Sequence, residues 1–268
     1  MTHAQQAAES LTQLRAQNPL VHSITNYVSM DVSANTLLAV GASPAMVHAE
    51  AEVADFAQIA SALVLNIGTL SPAWVSAMHT AAAVARSRPI PVVLDPVGVG
   101  ATAYRTRVAA DLVRGGLTVI RGNASEIMAL AGAAAGPTRG VDSTAAVDEA
   151  TAAATALAAS SSAIVAVTGA TDFVTDGQNA FRVGGGHPWM GKVTALGCSL
   201  SGVIGAFVAV RPDEPLAATV HALAAFGLAG AKAADGAEGP GTLRLRIMDA
   251  LHQLTPQTVA AEADITAL

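Results

Sequence analysis

The chain has one cysteine in 268 residues, Cys198, so neither an intrachain disulfide nor a cysteine-built zinc site can form. Charge is scarce as well: Asp, Glu, Lys and Arg make up 13% of the residues, against about 25% in an ordinary domain. The 14 Lys and Arg are outnumbered by 20 Asp and Glu, for a formal charge of −6, and no basic cluster occurs anywhere. Nucleic acid and anionic lipid are therefore excluded as main partners, because both are held through basic patches. A membrane span needs about 20 mostly apolar residues. The best candidates, Leu200 to Val210 and Leu216 to Ala231, are expected to be too short and too rich in Ala and Gly. Met1 to Gln17 carries Gln, Glu and Thr where a secretory signal has its apolar core, so the expected location is the cytoplasm. Aromatic residues are only 3% although 52% of the chain is apolar. That excess of small apolar side chains has to be buried somewhere.

Familiar signatures are missing too. There is no Gly-x-Gly-x-x-Gly after a first strand and no Gly-x-x-x-x-Gly-Lys-Ser/Thr, which disfavours a dinucleotide fold and a P-loop. The seven histidines are scattered without ligand spacing, so an imidazole-held metal is not expected.

What is present is a recurring pattern. Apolar runs occur at Ala62–Asn66, Pro91–Asp95, Leu117–Arg121 and Ala163–Thr168, with helix-like segments around 50–60, 72–87, 103–114, 124–131 and 144–160. Strands alternating with helices imply βαβ units and a parallel sheet covered on both faces, which explains runs that are continuously apolar. A hairpin is predicted from Phe173–Thr175 and Asn179–Val183 around Asp176-Gly177-Gln178, followed by helices at about 198–210, 215–234 and 242–253. No linker, composition break or internal repeat divides the chain, so one α/β domain over 1–268 is expected.

In parallel α/β sheets, ligands bind beyond the carboxyl ends of the strands. The four runs end in Asn66-Ile67-Gly68-Thr69, Asp95-Pro96-Val97-Gly98, Arg121-Gly122-Asn123-Ala124-Ser125-Glu126 and Thr168-Gly169. Any one of these reads as a helix cap or turn, but four on one sheet edge point to a site. Asp95 and Glu126 are hard oxygen ligands of the kind Mg²⁺ accepts alongside substrate phosphates, and Arg121 offers a planar fork for phosphate oxygens. Glu126 reads equally well as a first-turn acid favoured by the helix dipole.

A second constellation is Gly184-Gly185-Gly186-His187-Pro188, then Lys192-Val193-Thr194-Ala195-Leu196-Gly197-Cys198, leading into the helix from Ser199. A turn that opens a helix presents free N–H groups to an anion, and a thiol there is expected to have its pKa lowered from about 8.5. Cys198 is thus the candidate for proton abstraction or nucleophilic attack. As a free cysteine it fits a small buried residue equally.

These residues carry a resemblance. Pro19-Leu20-Val21-His22-Ser23-Ile24-Thr25-Asn26-Tyr27-Val28, Gly41-Ala42-Ser43-Pro44-Ala45-Met46, Leu94-Asp95-Pro96-Val97-Gly98-Val99-Gly100-Ala101, Gly122-Asn123-Ala124-Ser125-Glu126 and Lys192-Val193-Thr194 with Gly197-Cys198 follow the order seen in hydroxyethylthiazole kinases. The chain resembles that thiamine-salvage family, of the ribokinase-like superfamily, from about residue 18 to 210. The resemblance implies a ribokinase-like three-layer α/β sandwich with a mostly parallel central sheet. It implies ATP-dependent, Mg²⁺-assisted phosphorylation of the primary alcohol of 4-methyl-5-(2-hydroxyethyl)thiazole.

Carried over by position, the thiazole pocket falls on Asn26, Val28 and Met46, with Gly68 nearby and Ala195 at the anion turn. ATP contacts fall on Arg121, Thr168 and Gly197, the magnesium-associated acids on Asp95 and Glu126, and the catalytic position on Cys198, where most ribokinase-like enzymes have an Asp base. The family also implies a homotrimer with sites between subunits, each combining Met46 of one chain with the anion turn of another. One departure stands out: the family usually has Gly-x-Gly-Cys in this turn, and here Ala195 replaces the first Gly. With negative φ little is lost; with positive φ, strain of about 1–3 kcal/mol follows. Competing readings are a hydroxymethylpyrimidine-type kinase and a nucleotide-dependent hydrate dehydratase, both expected to carry Asp in place of Cys198, and a nucleotide-binding protein without turnover.

Overall fold

The computed structural model describes residues 1–135 and 145–268. Among them, nine strands form one sheet: β1 (Leu20–Ile24), β2 (Ser43–Ala45), β3 (Ala62–Asn66), β4 (Val92–Asp95), β5 (Val119–Asn123), β6 (Ile164–Thr168), β7 (Asp172–Thr175), β8 (Ala180–Val183) and β9 (Ile265–Ala267). Their spatial order is β2-β1-β3-β4-β5-β6-β7-β8-β9. The first six are parallel, and β7, β8 and β9 are added antiparallel.

The helices are α1 (His3–Gln17), α2 (Met30–Val40), α3 (Val53–Ile59), α4 (Pro72–Ser87), α5 (Ala103–Arg114), α6 (Ala124–Ala135), α7 (Ala145–Ser161), α8 (Leu196–Val210), α9 (Pro215–Ala234), α10 (Pro240–Gln253) and α11 (Pro256–Glu262). Their starts follow local chemistry. Ser71 accepts from the Trp74 N–H with Pro72 at the first helical position of α4, and Thr102 does the same for Arg105 in α5.

Two apolar layers sandwich the sheet. One contains α3 to α7 with Leu63 and Leu65 of β3; the other contains α1, α2 and α8 to α11 with Val64. Successive β3 residues thus feed opposite cores, and all five are buried. This is the continuous apolar run of a doubly covered strand. Both layers absorb the alanine excess, and in the second α8 and α9 pack together with 12 buried residues each.

Several sequence expectations shift. β5 runs two residues further than expected, so Arg121 lies within the strand rather than at its last position. The helix expected at 144–160 is seen as Ala145–Ser161, with residue 144 outside the described residues. β1, β2, β9, α1, α2 and α11 were not predicted. The segment at 216–231 was expected to be too short to span a bilayer, but α9 has 20 residues and is long and apolar enough to do so; 67% of its most apolar stretch is buried inside this fold.

Candidate active site

The parallel strands β1, β3, β4, β5 and β6 all deliver their carboxyl ends to one edge of the sheet, and the first turn of α8 meets them there. Asp95, the last residue of β4, is 1% exposed. Its Oδ2 accepts from Asn66 Nδ2 at 2.8 Å and from Ser201 Oγ at 2.9 Å. Its Oδ1 has no hydrogen-bond partner and lies 3.9 Å from Nη1 of Arg121. Burial pushes the Asp95 carboxyl above the ordinary carboxylate range and the charge of Glu126 pushes the same way, while Arg121, Ser201 and Asn66 pull it back.

Arg121 is held from the other side, donating to Thr168 Oγ1 at 2.6 Å. Gly197 makes this position possible, because a Cβ there would stand 2.7 Å from Arg121 Nη1. The guanidinium therefore rests beside the first turn of α8, where the N–H groups of Leu196, Gly197 and Cys198 have no intrahelical partners. A cavity of about 510 Å³ opens at this point. Arg121, Thr168 and Gly197 lie at its polar end and Leu223 and Phe226 on its apolar wall, with Asp172 and His187 also lining it. Asp172 is lifted by burial to about 6, against the pull of the Gly169 N–H and Arg121.

Ala195 precedes α8 with φ 72° and ψ −8°, in the left-handed region. The strained alternative raised by the sequence is the one the backbone adopts. The expectation of an acidified thiol is corrected. Burial pushes Cys198 above the usual thiol range and the charge of Asp95 adds to it, outweighing hydrogen bonds from Asn26, Asn66 and Ser29. At neutral pH Cys198 is a thiol, not a thiolate.

Glu126 closes a capping box. Its Oε2 accepts from the Asn123 N–H at 2.9 Å, while Asn123 Oδ1 accepts from the Glu126 N–H at 2.9 Å. Its Oε1 accepts from the Gly98 N–H at 2.9 Å. The first-turn reading of this acid holds, and each oxygen keeps a lone pair free. Among the described residues no three His, Cys, Asp or Glu side chains converge as a metal cage.

Of the expected residues, Asn26, Gly68, Cys198, Asp95, Arg121, Thr168 and Gly197 come together. Asn26 Nδ2 reaches Cys198 Sγ at 3.3 Å and Asn66 Oδ1 at 2.9 Å, and Gly68 packs so closely on Asn26 that a Cβ would meet it at 2.6 Å. Val28 and Met46 stand apart from this hydrogen-bonded chain; Val28 is 62% exposed and Met46 packs half-buried on the second core layer. The sequence reading leaves Ser201 and Asp172 out of the site and gives Asn66 only as part of a strand end, with no role. The available signals are the spacing of Ser201, three residues after Cys198 on one helix, and the place of Asn66 at the end of an apolar run, as Asp95 is; the register that pairs the two is seen only in the fold.

Residues 11–257 match the model of the hydroxyethylthiazole kinase family. A hydroxyethylthiazole kinase of Rhizobium rhizogenes is 53% identical, over 96% of each chain. The chain belongs to the hydroxyethylthiazole kinase family. The solved structure of a hydroxyethylthiazole kinase protein from Pyrococcus horikoshii OT3 superposes with a TM-score of 0.90 at 41% identity, covering 98% of each chain. A ribokinase-like superfamily protein from Enterococcus faecalis shares the fold, with a TM-score of 0.64 at 13% identity over 92% of this chain and 89% of that one. The three-layer sandwich is thus ribokinase-like, and membership of a kinase family implies use of ATP.

Proposed function

We propose that the chain transfers the γ-phosphoryl group of ATP to the primary alcohol of 4-methyl-5-(2-hydroxyethyl)thiazole, in thiamine salvage. The observation that carries this reading is the hydrogen bond of Asn26 to Cys198, whose neighbour Gly197 lies against Arg121 and lines the 510 Å³ cavity with it, because this sets an alcohol-binding group one residue from an anion cradle. The adenine end of ATP fits the apolar wall at Phe226, and the phosphates fit the Arg121, Thr168 and Gly197 end.

Phosphoryl transfer through a loose transition state needs positioning and charge stabilisation more than covalent help. Arg121 and the N–H groups opening α8 supply a preorganised cradle for the transferring group. Cys198, held as a neutral thiol, orients the hydroxyethyl oxygen rather than stripping its proton as a thiolate; as the new O–P bond forms, the bond from the γ-phosphorus to the leaving ADP oxygen breaks and the alcohol proton passes to an oxygen of the transferred phosphoryl group. Asp95 and Glu126 fit Mg²⁺ as hard carboxylate donors: Asp95 Oδ1 is buried without a hydrogen-bond partner, and Glu126 keeps lone pairs for bound water. Bound there with the ATP phosphates, Mg²⁺ supplies charge neutralisation.

We further read the whole chain, 1–268, as one catalytic domain acting in the cytoplasm as a homotrimer. Val28 and Met46 would then meet the anion turn of a neighbouring chain. Support comes from the exposed apolar side chains Tyr27 and Val28 beside the site and Leu38 on α2, 66%, 62% and 59% exposed. The test is incubation with ATP, Mg²⁺ and the thiazole alcohol while following ADP, with hydroxymethylpyrimidine as control. Thiazole-dependent ADP is expected. ADP release only with the pyrimidine, or none with either alcohol, overturns the reading.

A further inference from the structure

We propose that Asn66 is the positioning residue that couples the alcohol end of the site to its acidic end, an inference that rests on the kinase reading above. Asn66 ends β3 directly opposite Asp95 at the end of β4 and is 1% exposed. Its Oδ1 accepts from the Gly68 N–H at 2.9 Å and from Asn26 Nδ2 at 2.9 Å, and its Nδ2 donates to Asp95 Oδ2 at 2.8 Å. The rotation of this amide is forced, because the Gly68 N–H can only donate. A flipped Asn66 would set N–H against N–H and oxygen against carboxylate.

The same logic fixes the next link. The Ser29 N–H donates to Asn26 Oδ1 at 3.0 Å, so Asn26 must turn its Nδ2 to Asn66 Oδ1 and to Cys198 Sγ. Two backbone N–H groups thereby orient a chain that runs Cys198, Asn26, Asn66, Asp95, Ser201. Asn26 is 5% exposed and the absent side chain of Gly68 lets the links close up. In so dry a setting each bond is strong, and an unmet partner is costly. A loop-capping role for Asn66 accounts for the bond from Gly68. It does not account for the bond given to Asp95, nor for the one taken from Asn26.

The two ends can be cut separately. Asn66→Asp keeps the acceptor that holds Asn26 and Gly68 but replaces the amide donor to Asp95 with a second carboxyl, so that the buried pair must share a proton and Asp95 loses the amide that fixes its charge and orientation. Asn66→Ala removes both ends. With the full chain, ATP and the thiazole alcohol, Asn66→Asp is expected to lower kcat about 10- to 100-fold, the range of a hydrogen bond to a charged group, with thiazole KM within about threefold of wild type. Asn66→Ala is expected to lower kcat similarly and also raise thiazole KM about tenfold, with ATP KM little changed in either variant.

A double cycle with Asn26→Ala provides a second measurement: losses in one chain are less than additive. Either variant with both constants near wild type, kcat and KM falling in parallel in both variants, or additive losses in the cycle would overturn the role of Asn66 while the kinase reading stands. A wild-type chain that makes no thiazole-dependent ADP overturns both.

Discussion

Gly197 leaves its side-chain position to Arg121: a Cβ at this second residue of α8 would stand 2.7 Å from Nη1 and 3.2 Å from Nη2. Because the obstacle is the far end of a flexible side chain, Gly197→Ala is expected to fold normally, with the guanidinium swung away from Thr168 and the cradle. The expected outcome is a melting temperature within about 2 °C of wild type and a kcat/KM for ATP reduced more than about tenfold, the loss of a charge-assisted contact to phosphate. Full activity in this variant would separate Arg121 from phosphate binding.

Ala195 sits at φ 72°, where an L-residue costs roughly 1–2 kcal/mol and glycine does not. Ala195→Gly relieves that strain, though the unfolded chain gains freedom worth about 0.4–1 kcal/mol. A net stabilisation between about 0 and 1.6 kcal/mol is expected, visible as a melting temperature raised by up to about 6 °C. If the methyl group also crowds the transferring phosphate, kcat/KM rises several-fold. An unchanged kcat/KM with a raised melting temperature assigns Ala195 to stability alone.

Cys198 accepts a hydrogen bond from Asn26 and is pushed upward by burial and by Asp95. Its alkylation by iodoacetamide is therefore expected to be slow at pH 7–8 and to accelerate only above pH 9. Cys198→Ala is expected to lower kcat far more than it changes ATP KM. Rapid labelling at pH 7, or near-normal turnover of the alanine variant, contradicts the orienting thiol.

The parts of the fold visible in the sequence were those set by local pattern. β3, β4 and β6 stand out in the sequence because both faces are covered and every position but the last is apolar. β1 did not, although it lies inside the sheet: His22 and Ser23 interrupt its apolar run, yet they are 0% and 3% exposed. His22 is accommodated through a 2.8 Å contact of Nε2 with the Val47 carbonyl, a partner 25 residues away. β2 has three residues and a proline at position 44, tolerable only because it is an edge strand. At the site, the strand ends pointed to the right edge of the sheet. The state of Cys198 could not be read there, because helix position argued for a thiolate while the burial and Asp95 charge that decide against it come from distant segments.

Leu38 on α2 and Leu245 on α10 are exposed on two helices that pack together, and Tyr27 and Val28 are exposed near the active site. Large apolar side chains this exposed suit contact with another chain. Sedimentation is expected to give a particle of three times the 26.7 kDa chain mass. A single-chain mass at micromolar concentration contradicts sites shared between subunits.

His221 on α9 is buried against α1, with Nδ1 2.8 Å from Ser10 Oγ and Nε2 without a partner. Burial lowers its pKa to about 4, and the neighbouring charges of Arg211 and His3 push the same way. The unfolded chain, titrating near 6.5, binds the proton more readily than the folded one between these values, so stability rises with pH across that window. It is lost as pH falls from about 6.5 toward 4, and His221 alone accounts for about 2 kcal/mol between pH 7 and 5. Asp172 works in the opposite sense: its folded pKa of about 6 lies above the unfolded value, so it favours the folded chain at low pH and loses that contribution as pH rises through 6. The two partly cancel in the wild type. Urea unfolding at pH 7 and 5 should therefore show His221→Leu losing less stability on acidification than wild type, by about 2 kcal/mol. Equal acid dependence in the two proteins would show that His221 is not the group that destabilises the fold in acid.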